Sequence, residues 1–162
     1  MKLIPYQKLT LTTKLTKREV FERLRDNTGK PGLSAWGSGS LFIGHGNMNG
    51  FEIRRNISYR NSFIPYINGK FLPEQSRTAI ETIFKPHGLV IGFMIFWLGG
   101  VSLGCIAILY ATISSGEGFS GFTLIPFGML IFGLALSIGG FYFEYEKSKK
   151  AIIDLLEARV EE

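Results

Sequence analysis

The run "FEIRRNISYRNSF", residues 51–63, gathers Arg54, Arg55, Tyr59, Arg60 and Asn61 within eight residues. A guanidinium group grips phosphate or carboxylate through parallel N–H bonds, and a neighbouring aromatic ring adds an amphipathic surface. Chemistry of this kind holds anions and breaks no bond. On an extended strand, successive side chains project to opposite faces. Arg54 and Arg60 then share a face with Glu52, and Arg55 shares the other with Tyr59. Arg54 with Arg60 is thus the first choice for a headgroup- or ligand-binding pair, with Arg55 and Tyr59 as its neighbours. Lipid headgroups and a soluble phosphate-containing ligand both fit that chemistry. The competing account is an exposed Glu52–Arg54–Arg60 charge ladder, which contributes little at a surface.

Nothing else in the chain points to catalysis. His45 and His87 are the only histidines, and Cys105 is the only cysteine. Neither zinc-ligand spacing, a nucleophile elbow nor a Cys/His pair can be assembled from them. The glycine-rich "LSAWGSGS" at 33–40 matches neither a P-loop nor a dinucleotide fingerprint. The reading is a non-enzymatic protein without cofactor or metal. A net charge of +5 with no recognised module argues against nucleic acid.

The charge is unevenly spread. Residues 1–85 carry 14 Lys/Arg against 6 Asp/Glu, and residues 144–162 carry 4 against 6. Residues 86–143 carry one charge, Glu117. A membrane-spanning helix needs about 20 apolar residues, and this block holds two such stretches, at about 89–112 and 122–143. Glu117 falls in the "SSGEGFSG" between them, where a carboxylate avoids the roughly 3 kcal/mol cost of bilayer depth. Arg77 and Lys85 precede the hairpin, Lys147, Lys149 and Lys150 follow it, and its loop has no basic residue. The positive-inside rule places both termini in the cytoplasm and Glu117 outside, as in a multi-pass protein of the inner (cytoplasmic) membrane. The N-terminal "MKLIPYQKLTLTTKL" lacks the apolar core of a signal peptide, so the internal block is expected to direct insertion.

Small residues recur four apart along both spans: Gly88 and Gly92, Gly100 and Gly104, Gly133 and Ser137. Such faces let helix backbones approach closely. Packing of the hairpin on itself and homo-oligomer formation both use that feature.

The flanking segments read as an α+β domain. "KLTLTTKL" alternates as a strand, and Thr16 with Glu19 forms a capping box that opens a helix ending near Asn27–Gly29. Asn49-Gly50 and Asn68-Gly69 mark two hairpins, the second weakened by Pro65. "RTAIETIFK" is a last strand leading into the first span, and "KSKKAIIDLLEARVEE" is an amphipathic helix with Ile152, Leu155, Leu156 and Arg159 on one side. The expectation is an α+β cytoplasmic domain of five to six mostly antiparallel strands, with one N-terminal and one C-terminal helix, interrupted by a two-helix transmembrane hairpin. Its divisions fall at 1–85, 86–143 and 144–162.

The order of elements resembles helix-grip, START-like folds, an analogy of fold that names no ligand. "YRNSFIPYINGK" also resembles a segment of small uncharacterised bacterial membrane proteins with a Tyr-Arg-Asn-Ser-Phe run, a proline and a glycine ahead of an apolar hairpin. That resemblance spans about residues 41–100 and implies architecture alone. The preferred functional reading is a membrane-anchored cytoplasmic binding or interaction module whose partner is the bilayer. Its rivals are a ligand-triggered, membrane-active effector that associates through its Gly-rich spans, and a lipid-handling START-like protein.

Overall fold

The computed structural model describes residues 5–32, 39–73, 77–116 and 118–161. Glu117 and Trp36 lie outside the described residues. Among the described residues the chain forms a mixed α+β unit of seven strands and three α-helices: β1 (Gln7–Thr13), α1 (Lys17–Asn27), β2 (Thr28–Gly29), β3 (Phe42–Asn47), β4 (Gly50–Arg55), β5 (Tyr66–Phe71), β6 (Thr78–Lys85), α2 (Gly88–Ser115), α3 (Ile125–Leu156) and β7 (Arg159–Glu161). The strands make one sheet in the order β2-β3-β4-β5-β6-β1-β7. Every pairing is antiparallel except β2 with β3.

Local signals explain several boundaries. Thr16 accepts from the Glu19 amide, and the Glu19 side chain accepts from the Thr16 amide, so α1 opens on the expected capping box. The β3–β4 hairpin turns through Met48 and Asn49, one residue earlier than the Asn-Gly signal indicates. Asn47 accounts for the shift, because its Oδ1 accepts from the Asn49 and Gly50 amides at 2.7 and 3.2 Å.

Three expectations are corrected. Asn68-Gly69 is not a turn: Tyr66–Phe71 runs through it as the single strand β5. Gly69 is required there by close packing, since an added Cβ would lie 2.6 Å from Phe51 Cε2 and closer still to Cζ and Cε1. Gly69→Ala should therefore lower stability by about 1–3 kcal/mol, the usual cost of overpacking; equilibrium unfolding measures it. The strand count rises to seven because two short strands, β2 and β7, cap the edges of the sheet. Finally, the C-terminal helix ends at Leu156, and Arg159 belongs to β7, paired with Thr12 of β1. Glu157 stops the helix at φ 48° and ψ 37°, with Ala158 N–H bonding Ile153 O at 3.0 Å. Arg23 Nη1 donates to Leu155 O at 3.1 Å, and Thr13 Oγ1 to Leu156 O at 2.7 Å. These bonds satisfy carbonyls that a helix end leaves open.

Two helices, α2 and the segment from Phe122 to Leu156, are long and apolar enough to cross a membrane. No secondary-structure boundary separates the second apolar stretch from the amphipathic segment after it. The helix α3 is continuous over 32 residues, and its C-terminal half lies in the core of the sheet. Phe141, Tyr145, Ser148, Ile152 and Leu156, spaced four, three, four and four apart, are all buried there. With α1 they cover the sheet face that carries Leu11, Phe42, Ile53, Ile67, Ile80 and Phe84. Phe84 meets Tyr145 edge-on at 5.0 Å between centroids. The chain therefore leaves the sheet at Lys85, runs out along α2, and returns on α3 into the same core.

Candidate functional site

The strand β4 ends at Arg55, so the alternation along 51–63 does not reach Tyr59 or Arg60. Arg54 and Arg55, still within the strand, take opposite faces, and their environments have nothing in common.

Arg55 points to the helix-covered face. Its Nη1 lies 3.1 Å from a carboxylate oxygen of Glu144, which is completely buried on α3. The same carboxylate accepts from Tyr59 Oη at 2.6 Å and from Asn61 Nδ2 at 3.2 Å. Asn61 Oδ1 in turn accepts from the Phe63 amide at 2.9 Å. Burial, and then the hydrogen bond to Glu144, raises the Tyr59 hydroxyl above its ordinary value. A buried carboxylate is tolerated when it is paired and hydrogen-bonded, and three donors from one short stretch of chain meet that requirement. Arg55 and Tyr59 thus tie the β4–β5 connection to α3. Arg60 is exposed, and no ion pair within 4.0 Å involves Glu52, Arg54 or Arg60 among the described residues. The charge ladder expected of Glu52, Arg54 and Arg60 does not form.

Arg54 lies on the opposite sheet face, away from α1 and α3. Ladder pairing places Arg54 beside Ile43 on β3 and Tyr66 on β5, with Lys85 of β6 opposite Tyr66. His45 pairs with Glu52 in the adjacent row. These residues, with His87 and Gly88 at the start of α2, line a concavity of about 440 Å³. The Tyr66 and His87 rings are 5.3 Å apart. His87 caps α2, its Nδ1 accepting from Leu89 N–H at 3.2 Å. Three groups reinforce one another here: a fixed cation at Arg54, a second at Lys85, and the partial positive charge of a helix start. Glu52 is the one carboxylate in the lining. The arrangement can hold a phosphate oxygen anion. It supplies neither an activated nucleophile nor, among the described residues, a metal-binding group of three or more His, Cys, Asp or Glu.

The sequence reading singled out Arg54 and missed Lys85, His45, His87 and Tyr66. Residues spaced two apart on paired strands could have signalled the row, but only with the β4–β5–β6 register known.

The helix-packing residues divide as well. A Cβ on Gly133 would collide with the Trp97 ring of α2, and Ser137 is 6% exposed, so both lie at the hairpin seam. Gly140, not anticipated, packs instead on the β4–β5 connection: a Cβ there would lie 3.0 Å from Phe63 Cδ2. At Gly88, Gly92, Gly100 and Gly104 an added Cβ would meet nothing within 4 Å. Shielded positions on α2 include Met94, Trp97, Val101, Cys105, Ile108 and Thr112; Gly104 is half-buried beside them, whereas Gly88, Gly92 and Gly100 are exposed.

No protein-family model, curated protein or solved structure matches the chain.

Proposed function

We propose that this protein is a bilayer-anchored α+β module on the cytoplasmic side of the membrane, binding phosphate-bearing headgroups through Arg54 and Lys85. The observation that carries the reading is the place of the basic concavity. It ends on His87 and Gly88, the N-cap and first residue of a helix of membrane-spanning length. The sheet thereby holds two cations at the level where an apolar helix would leave the hydrocarbon for the headgroups. Basic residues at that level contribute about 1 kcal/mol each toward anionic lipid. The cytoplasmic side follows from basic residues flanking the hairpin and none in its loop. A free phosphate compound offers the same oxygens, so the test separates the two sources.

The full chain is reconstituted in nanodiscs, because α3 belongs to both the hairpin and the domain core. Its thermal midpoint should be higher in discs containing phosphatidylglycerol than in phosphatidylcholine discs, with the difference shrinking as salt rises. Arg54→Gln with Lys85→Gln should reduce the difference. A rise caused by inorganic phosphate in phosphatidylcholine discs, abolished by the same substitutions, would assign the site to a soluble phosphate ligand. No response of the wild type to either would sink the proposal.

A further inference from the structure

A second cavity, of about 640 Å³, lies between α2 and α3. Leu89, Val90, Phe93, Met94 and Trp97 form one wall, and Phe132, Gly133, Leu136 and Ser137 form the other. Ser62 and Phe63 of the β4–β5 connection close one end. The volume suits a single small-molecule-sized occupant. Its walls come from the two helices long and apolar enough to lie in a bilayer, a medium made of acyl chains.

The closed end carries the opposite character. Arg60, two residues before Ser62, is exposed and has no ion pair among the described residues. Lys147 Nζ sits 3.8 Å from the centroid of Phe143 and 5.9 Å from that of Tyr59. That places a second cation beside the same connection, while neighbouring Glu146 is directed to Lys149 at 4.0 Å. The connection is held in position. Tyr59 and Asn61 bind the buried Glu144, and Phe63 packs on Gly140.

We infer that the groove between α2 and α3 holds one acyl chain of an anionic phospholipid, whose phosphate lies between Arg60 and Lys147. The inference rests on the reading that the hairpin spans a bilayer, but it uses neither Arg54 nor Lys85. The apolar walls recognise the chain, the two cations recognise the charge, and Glu144 acts as a positioning residue that fixes the connection between them. This site lies between the helices, whereas a START-like lipid protein would hold its ligand beneath the sheet. There Phe84, Phe141, Tyr145 and Ile152 already fill the core.

Trp97 reports directly on the groove. The chain has two tryptophans, so Trp36→Phe leaves Trp97 alone. In nanodiscs, brominated phosphatidylglycerol should quench Trp97 at roughly thirty-fold lower mole fraction than brominated phosphatidylcholine, the scale that two interfacial cations supply. Arg60→Gln with Lys147→Gln should equalise the two lipids, while Arg54→Gln with Lys85→Gln should leave the preference intact. Val90→Phe, which narrows the groove, should reduce quenching by phosphatidylglycerol. Native mass spectrometry of the unsubstituted chain should show one retained anionic lipid. Equal quenching by both lipids would mean ordinary boundary lipid and overturn the inference. So would a preference that follows Arg54 and Lys85, or a groove protected from both lipids and crosslinking to a second copy. Absence of quenching by any lipid without such crosslinking would place the hairpin outside the bilayer and remove both this inference and the membrane-anchored reading.

Discussion

Glu144→Ala is expected to destabilise the protein by about 3 kcal/mol, the lower end of the range for breaking a buried ion pair from one side. The lower end applies because the Arg55 side chain keeps 21% of its exposure while Glu144 keeps none. Removing the carboxylate leaves a guanidinium, a phenol and an amide without their shared acceptor. Each can recover part of that loss by turning to water. Arg55→Ala is expected to cost more, since the group left behind is then the fully buried one. The pair Arg55→Met with Glu144→Leu should recover most of the stability, because apolar replacements remove the desolvation cost along with the attraction. Equilibrium unfolding in mixed micelles compares these proteins, and Arg55→Ala with Glu144→Ala closes the double-mutant cycle. A Glu144→Ala change within about 0.5 kcal/mol of wild type, the range of an ordinary surface substitution, would show that the carboxylate is not buried in this network.

That network illustrates what the sequence could and could not disclose. Arg55, Tyr59 and Asn61 stand together in the chain, and their clustering is legible at once. Their common partner is 83 to 89 residues away, beyond an entire helical hairpin. No periodicity links the two. The alternation rule that paired Arg54 with Arg60 assumed that one strand continues through residue 60, whereas β4 ends at Arg55. Features set by neighbouring residues fared better. The capping box of α1 needs only Thr16 and Glu19, and the two membrane-length helices need only a long uncharged run. Asn68-Gly69 shows the opposite case. The dipeptide has strong turn character, but the Phe51 ring across the ladder needs the space of a missing side chain, and packing prevails.

The same distinction governs the amphipathic C-terminal segment. Its helical spacing identifies Ile152 and Leu156 as buried, and both are. Its continuity with the second apolar stretch depends on the absence of any breaker between Phe141 and Lys150, a negative signal that composition hides. The consequence is mechanical as well as descriptive. Residues 1–85 without α3 would lack Phe141, Tyr145, Ile152 and Leu156 from their core. The helix α3 is therefore shared by the apolar hairpin and the sheet core, and Glu144 lies between the two.

Gly133→Ile should separate the two helices, whereas Gly100→Ile and Gly104→Ile should leave the hairpin as it is. At Gly133 a first side-chain atom would already collide with the Trp97 ring, with Cη2 at 2.8 Å and Leu98 Cδ2 at 3.3 Å. Trp97 cannot yield without giving up its place against α3. Overpacking a close contact costs about 1–3 kcal/mol, and isoleucine adds three further carbons to that contact. At Gly100 and Gly104 the same side chain enters open space. Small residues four apart on α2 therefore look alike in sequence and differ in consequence, because the α2 face turned to α3 is the one with Trp97, Val101 and Cys105. Trp97 fluorescence in the Trp36→Phe background gives the measurement. Gly133→Ile should shift the emission and lower the unfolding midpoint, and the other two substitutions should change neither. If Gly100→Ile or Gly104→Ile destabilises the protein in nanodiscs at high protein density but not at one chain per disc, those glycines contact a second copy. If Gly133→Ile is silent under both conditions, the seam between α2 and α3 is not where the structure places it.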